Sequence, residues 1–207
     1  TALRPSYHGT SASLENEDTM DPKVRIHLLP GGIMPKRQSP EAVGHDACIR
    51  AIVSPTELDT ENPKLRKTLF DFVNIPADPE IASHVIPRKK GLGYRILPGE
   101  SVLVGIGFIT EMPYPLFYWV APRSGLASKW GITVTNAPGT VDPDYRREAG
   151  VLVYNRNPRE FVLDRGMRIA QIIFQWAVIP DFEQVENFSD LLDTTRGSGG
   201  FGSTGLR

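Results

Sequence analysis

Ser101-Val102-Leu103-Val104-Gly105-Ile106 alternates side chains with the period of a strand, Val102, Val104 and Ile106 to one side and Ser101, Leu103 and Gly105 to the other. Similar β-rich runs recur along the chain: 24–29, 47–53, 101–110, 116–121, 131–136, 148–155, 160–163 and 167–177. Between them stand most of the 18 Pro and 19 Gly, too many breaks for long helices. Many short strands with turn residues between them predict an all-β sandwich or barrel. Two short helices are expected, at Ser124–Trp130 and Lys64–Phe70.

The chain has 207 residues, enough for one domain with decorations. A formal net charge of -1 lacks the basic excess of a nucleic-acid polymer binder, so any phosphate recognition must be local. The single cysteine, Cys48, excludes an internal disulfide and any multi-cysteine zinc site, and fits a reducing, cytoplasmic setting (nuclear or organellar in a eukaryote). No apolar run approaches membrane-spanning length, and no membrane partner is expected. Residues 1–20 are polar and read as a flexible extension, 21–193 as the β domain, and 194–207 as a Gly-rich lid. Within the domain, 58–96 is charged and reads as an insertion, with Arg88-Lys89-Lys90-Gly91 as a solvated basic turn.

Five clusters carry polar residues that a plain β-domain does not need. In Gly44-His45-Asp46-Ala47, Asp46 opens a strand, either as a turn residue or as a carboxylate able to hold a hydrated Mg²⁺. In Pro122-Arg123-Ser124-Gly125, an aromatic strand runs into a helix start, where free N–H groups and an arginine suit phosphate. Asn136-Ala137-Pro138-Gly139-Thr140-Val141-Asp142-Pro143-Asp144-Tyr145 reads as a β-hairpin stiffened by prolines. Pro143 restricts the backbone of Asp142 and fixes where its carboxylate points, as a general base for water requires. Asn136 offers a donor and an acceptor, and Tyr145 a flat face. In Gly166-Met167-Arg168-Ile169-Ala170-Gln171, strict alternation puts Arg168 and Ala170 on one face and Gln171 on the other, where it reaches phosphate or satisfies a neighbouring strand. The fifth cluster, Arg196 to Gly205, combines glycines with one cation, one ring and three hydroxyls. That composition suits either a disordered terminus or a clamp on an anion and a base. Gly197 to Gly202 also fits G-x-G-x-x-G, but that fingerprint needs a helix directly after it, and the residues that follow are not read as one.

In this order, the five blocks resemble the trimeric dUTP pyrophosphatase (dUTPase) family, with Leu97-Pro98-Gly99-Glu100 similar to its turn before a strand. The resemblance implies a jelly-roll-like fold and a homotrimer whose C-terminal arm closes over a neighbouring subunit's site. It implies hydrolysis of dUTP to dUMP and pyrophosphate with Mg²⁺. Asp142 would activate the water that attacks the α-phosphorus, and Asp46 would contact the metal through water. Asn136 and the backbone of Gly139, Thr140 and Val141 would read uracil, while Tyr145 would pack on deoxyribose. Arg123, Ser124, Gly125, Arg168 and Gln171 would serve the phosphates. In the arm, Phe201 would stack on uracil, with Arg196, Gly200, Gly202, Ser203 and Thr204 also meeting substrate.

Three features depart from the family's usual pattern: Arg147 at a customary glycine, His45 at a customary tyrosine, and the 58–96 segment. Two other functions compete. A dCTP deaminase on this fold carries a glutamate in the strand after the Asp-bearing segment, and Gly150–Asn155 has no acid. A non-catalytic nucleotide sensor or protein-binding module would use 58–96 as its contact for an unidentified protein partner.

Overall fold

The chain folds where its apolar runs pair, and Pro and Gly set the corners. In this computed structural model the described residues are 22–195 and Gly197. They form, in chain order, β1 (Arg25–Leu28), β2 (His45–Cys48), β3 (Ala51–Leu58), β4 (Arg66–Phe70), α1 (Pro79–Ser83), β5 (Val85–Arg88), β6 (Gly91–Ile96), β7 (Ser101–Gly105), β8 (Phe108–Glu111), β9 (Leu116–Pro122), α2 (Ser124–Trp130), β10 (Ile132–Val134), β11 (Gly139–Val141), β12 (Gly150–Asn155), β13 (Phe161–Asp164) and β14 (Arg168–Trp176). The sheets run β10-β12-β7-β3-β4, β11-β9-β14-β2, β13-β6-β5 and β1-β8. Every pairing is antiparallel. This is the all-β, jelly-roll-like architecture that the run of short strands predicts. Two units divide the chain, Thr1–Ala177 and Val178–Arg207. The second contains a turn of 3₁₀-helix, Phe188–Asp190, capped reciprocally by Asn187 and Asp190.

Ile52, Val104, Ile106, Phe108, Tyr118 and Ile172 are buried in one continuous core. Breaks divide two of the expected strands. The 47–53 run separates into β2 and β3 because Arg50 turns its N–H to the Gly105 carbonyl and its side chain to Glu148. The 101–110 run separates into β7 and β8 at Gly107, whose φ of 77° is open to glycine and whose neighbour Gly32 approaches too closely for a Cβ.

The helix expected at Lys64–Phe70 is instead β4. Phe70 packs against Phe72 at 4.7 Å and Tyr94 at 6.1 Å, and β4 covers the otherwise open edge of β3. Tertiary pairing overrides the amphipathic pattern there. The segment 58–96 also holds α1, β5 and β6, and β6 is the central strand between β5 and β13. The basic turn forms as expected, with Lys89 and Lys90 joining β5 to β6. The expected hairpin over Asn136–Tyr145 does not form. β10 pairs with β12 and β11 with β9, so the chain crosses between sheets at the turn Thr135–Pro138. Among the described residues no helix is long and apolar enough to cross a membrane.

Burial pushes the Tyr118 phenol up to about 12, with the Thr110 hydroxyl pulling the other way. An acid whose folded pKa is raised stabilises the fold below its unfolded value and loses that contribution as pH rises through the folded one. Tyr118 therefore withdraws about 3 kcal/mol at most as pH climbs from about 10 to about 12. Ultraviolet absorbance titration of Tyr118→Phe should show one late-ionising tyrosine fewer than the parent, with Tyr94 still ionising late, and its alkaline unfolding profile should be flatter than that of the parent.

Candidate active site

Two groups of polar residues stand out against this β framework. The first gathers around Asp46. Its strand, β2, lies beside β14, with Asp46 opposite Gln171. β9, on the other side of β14, delivers Pro122 and Arg123 to the start of α2. Arg123 Nε donates to Asp46 Oδ1 at 2.9 Å, and Arg168 Nη1 donates to Oδ2 at 3.0 Å. Arg123 Nη1 also donates to the Arg168 carbonyl at 3.0 Å. One nearly buried carboxylate thus holds two arginines side by side at the edge of a cleft of about 510 Å³.

The strict alternation expected for 167–172 fails at a register shift between Arg168 and Ala170. Ile169 and Ala170 are both buried as a result, and Arg168 turns to Asp46. Gln171 donates to the Pro122 carbonyl at 3.1 Å, and its side chain fills the space over Gly44, where any Cβ would lie 2.3 Å from Oε1. The residue braces the strand end before Arg123. Arg123 occupies the N-cap position of α2 without capping it by a side chain, and the first intrahelical bonds go to Leu126 and Ala127. The N–H groups of Ser124 and Gly125 precede those bonds, and the space about Gly125 is open. Nearby, burial pushes the Cys48 thiol up and the Asp46 charge adds to the effect, against the pull of Arg168 and Arg123, which disfavours the reactive thiolate.

The second group lines a pocket of about 260 Å³: Asn136, Thr140, Val141, Asp142 and Tyr145. The crossing between sheets, not a hairpin, brings them together. Gly139 is buried beneath Asn136, whose Nδ2 would lie 3.2 Å from a Cβ there. The Asp142 carbonyl accepts from Tyr145 N at 3.2 Å, closing a tight turn around Pro143. Tyr145 is fixed in turn by its hydroxyl, which donates to the Glu148 carbonyl at 3.3 Å. Among the described residues the Asp142 carboxylate accepts no hydrogen bond, and the side chain is exposed. Arg147 is not among the positive-φ residues, so its place at a customary glycine imposes no left-handed strain.

One lining residue escaped the sequence reading. Arg66, on β4, shares the pocket with Asp142. Reading 64–70 as a surface helix hid it; the β-branched and aromatic content of Thr68 and Phe70 was the available signal. The two groups share neither a cavity nor a hydrogen bond among the described residues. Arg196, Gly200, Phe201, Gly202, Ser203 and Thr204 lie outside the described residues. Nor do three or more His, Cys, Asp or Glu side chains cluster as a metal cage among the described residues. Asp46 therefore fits Mg²⁺ only in an outer role. Each of its oxygens already accepts from an arginine, and the remaining lone pairs suit the water of a hydrated ion.

Asp46→Asn should leave the two arginines without a counter-charge. The pair is intermediate between surface and buried, and the loss should be roughly 1–3 kcal/mol, read by chemical denaturation.

Comparison with known proteins bears on these two groups. A family model described as dUTPase matches residues 91–205. The deoxyuridine 5'-triphosphate nucleotidohydrolase of Gloeothece citriformis is 50% identical over 111 residues, 54% of this chain and 74% of that protein. The Mesorhizobium japonicum protein of the same name is 54% identical over 110 residues, 53% of this chain and 66% of its own length. Among solved structures, the Staphylococcus bacteriophage 80alpha dUTPase with dUPNHPP superposes with a TM-score of 0.62 at 18% identity, covering 89% of this chain and 99% of that one. A mutant of the phage phi11 dUTPase, described with a structural Mg(II) ion, gives 0.56 at 14% identity, covering 80% and 98%. The phage structures share the fold, and the family match spans more than half of the sequence: this chain belongs to the dUTPase family.

Proposed function

We propose that this chain hydrolyses dUTP to dUMP and pyrophosphate with Asp142 as the general base. The observation that carries the assignment is the Asp142 carboxylate, free of protein hydrogen bonds among the described residues, in one pocket with Asn136 and Tyr145. A water held by Asp142 gives up its proton to the carboxylate as its oxygen attacks the α-phosphorus. The α–β bridging P–O bond breaks, and pyrophosphate leaves with the bonding pair. Positioning and charge neutralisation are what this displacement requires.

In this reading Asn136 and the backbone at Gly139–Val141 select uracil by its donor and acceptor pattern. Tyr145, held by Glu148, lies against the sugar. Arg123, Arg168 and the N–H groups of Ser124 and Gly125 receive the phosphates, and Gln171 keeps the loop at Pro122 in place. Mg²⁺, when bound, would offset the triphosphate charge, with Asp46 accepting from its water shell. Among the described residues the arginine cluster and the base pocket share no cavity, which supports a homotrimer in which neighbouring copies complete each site. The residues from Arg196 to Thr204 serve as the closing arm.

The deaminase alternative loses its nearest acid. Glu148 is buried, and both of its oxygens are taken by Arg50 and one also by Gly107 N, so it is not available to act at a pyrimidine amine.

Asp142→Asn should retain nucleotide affinity while kcat falls on the order of 10²–10⁴-fold, measured by pyrophosphate release from dUTP. A rate near that of the parent would assign water activation to another group. A chain ending at Asp193 should lose most turnover with an unchanged melting temperature; a lower melting temperature would make the arm structural instead.

A further inference from the structure

The 58–96 segment contributes a wall to the pocket that holds Asp142. Arg66 enters it from β4, the edge strand of the five-stranded sheet, and shares the lining with Leu103 of β7 and Leu152 of β12. The strand register explains how. Ile52 pairs with Phe70, but Val53 pairs with Thr68, so one extra residue bulges from β4 at Leu69. Such a bulge reverses which face the following side chains occupy. Phe70 packs into the core, whereas Thr68 and Arg66 turn to the opposite face, towards Leu103 and Leu152.

Among the described residues the guanidinium is held at one corner only. Its Nη1 donates to the Pro55 carbonyl at 2.8 Å. Its Nε is buried and has no acceptor among the described residues. A guanidinium never loses its charge in a protein, and a buried N–H without a partner carries an uncompensated desolvation cost. The side chain lines the pocket, and a turn of the guanidinium towards an oxygen bound there removes that cost. The phosphate donors Arg123 and Arg168 border a different cleft, and the pocket of Arg66 is the small one, with Asn136 and Tyr145 beside it.

We propose that Arg66 is a substrate-contacting residue supplied by the 58–96 segment, donating through Nε to an oxygen of the nucleoside half of the bound nucleotide. The proposal rests on the assignment of this pocket to the deoxyuridine moiety. It gives the segment a role within its own subunit, without an external protein partner.

The test compares the parent chain with Arg66→Met, Arg66→Lys and Lys67→Ala. Calorimetry gives dUMP affinity, steady-state kinetics on dUTP gives KM and kcat, and thermal melting reports folding. Lys67 lies next to Arg66 and pairs with Glu57, so it reports the loss of a cation from the same strand. Turnover of dUTP and binding of dUMP by the parent establish the pocket assignment itself; their absence would sink that assignment rather than Arg66 alone. Given both, Arg66→Met should weaken dUMP binding on the order of ten-fold and raise KM by a similar factor at little cost in kcat. Arg66→Lys should be nearly as weak, because one ammonium cannot replace the Nη1 contact to Pro55 and the Nε donor together. Lys67→Ala should match the parent. The proposal is overturned by dUMP affinity within about two-fold of the parent in Arg66→Met or Arg66→Lys with the fold intact, by an equal loss in Lys67→Ala, or by a loss confined to dUTP, which would place Arg66 on the outer phosphates.

Discussion

A single buried carboxylate fixes the turn that carries Asp142. Glu148 is 1% exposed, yet its charge is fully used: Arg50 donates through Nε at 2.8 Å and Nη2 at 2.7 Å, and Gly107 N donates at 2.8 Å. Gly105 makes room for it, since a Cβ there would lie 2.5 Å from Oε1. The acid therefore joins the start of β3, the corner between β7 and β8, and the segment leading into β12. Its own carbonyl takes the Tyr145 hydroxyl, which carries the constraint to the turn at Asp142. A buried ion pair adds little net stability, because desolvation offsets most of the attraction. Its geometric precision is another matter. A bidentate pair leaves the loop one position, and the role proposed for Asp142, aiming a water, calls for that more than for extra stability.

Around Asp46 the device is reversed, one acid shared by two arginines. Asp46 holds Arg123 and Arg168 together, although their charges repel, and the cluster keeps a net positive charge facing the cleft. The arginines are thus oriented before any anion arrives, and less side-chain entropy is lost on binding. Glu148, Arg50 and Gly107 stand on connections between strands, whereas Asp46 and Arg168 stand on β2 and β14.

How far the sequence reveals this arrangement depends on the range of each interaction. The helix Ser124–Trp130 was legible to the residue, because Gly131 at φ 63° ends it locally. The strand runs were legible from their period. The breaks within 47–53 and 101–110 were not, since they depend on Arg50 reaching Glu148 across 98 positions of sequence. The crossing at Asn136 was hidden for a related reason: a turn rich in Pro and Gly looks the same whether its flanks pair with each other or with strands of different sheets. For Asp46, the sequence offers a carboxylate on a strand but not the two arginines that claim both of its oxygens.

The 58–96 segment was the least legible part, and the cause lies in the bulge at Leu69. A strand with a bulge loses strict alternation, and a charged segment without alternation mimics a helix. Two features hold the bulge in place. On one side Phe70 is locked against Phe72 and Tyr94 in the core. On the other, Ser54 Oγ accepts from the N–H groups of Thr56 and Glu57, bending β3 where Pro55 offers its carbonyl to Arg66. Pairing Leu69 with Val53, instead of leaving it bulged out, would slip the outer half of β4 by one position. That slip would put Lys67 on the pocket face and turn Arg66 away from it. The irregularity that defeats the pattern is therefore what aims the side chain, so the departure from strand periodicity in this segment belongs to the site rather than to the scaffold.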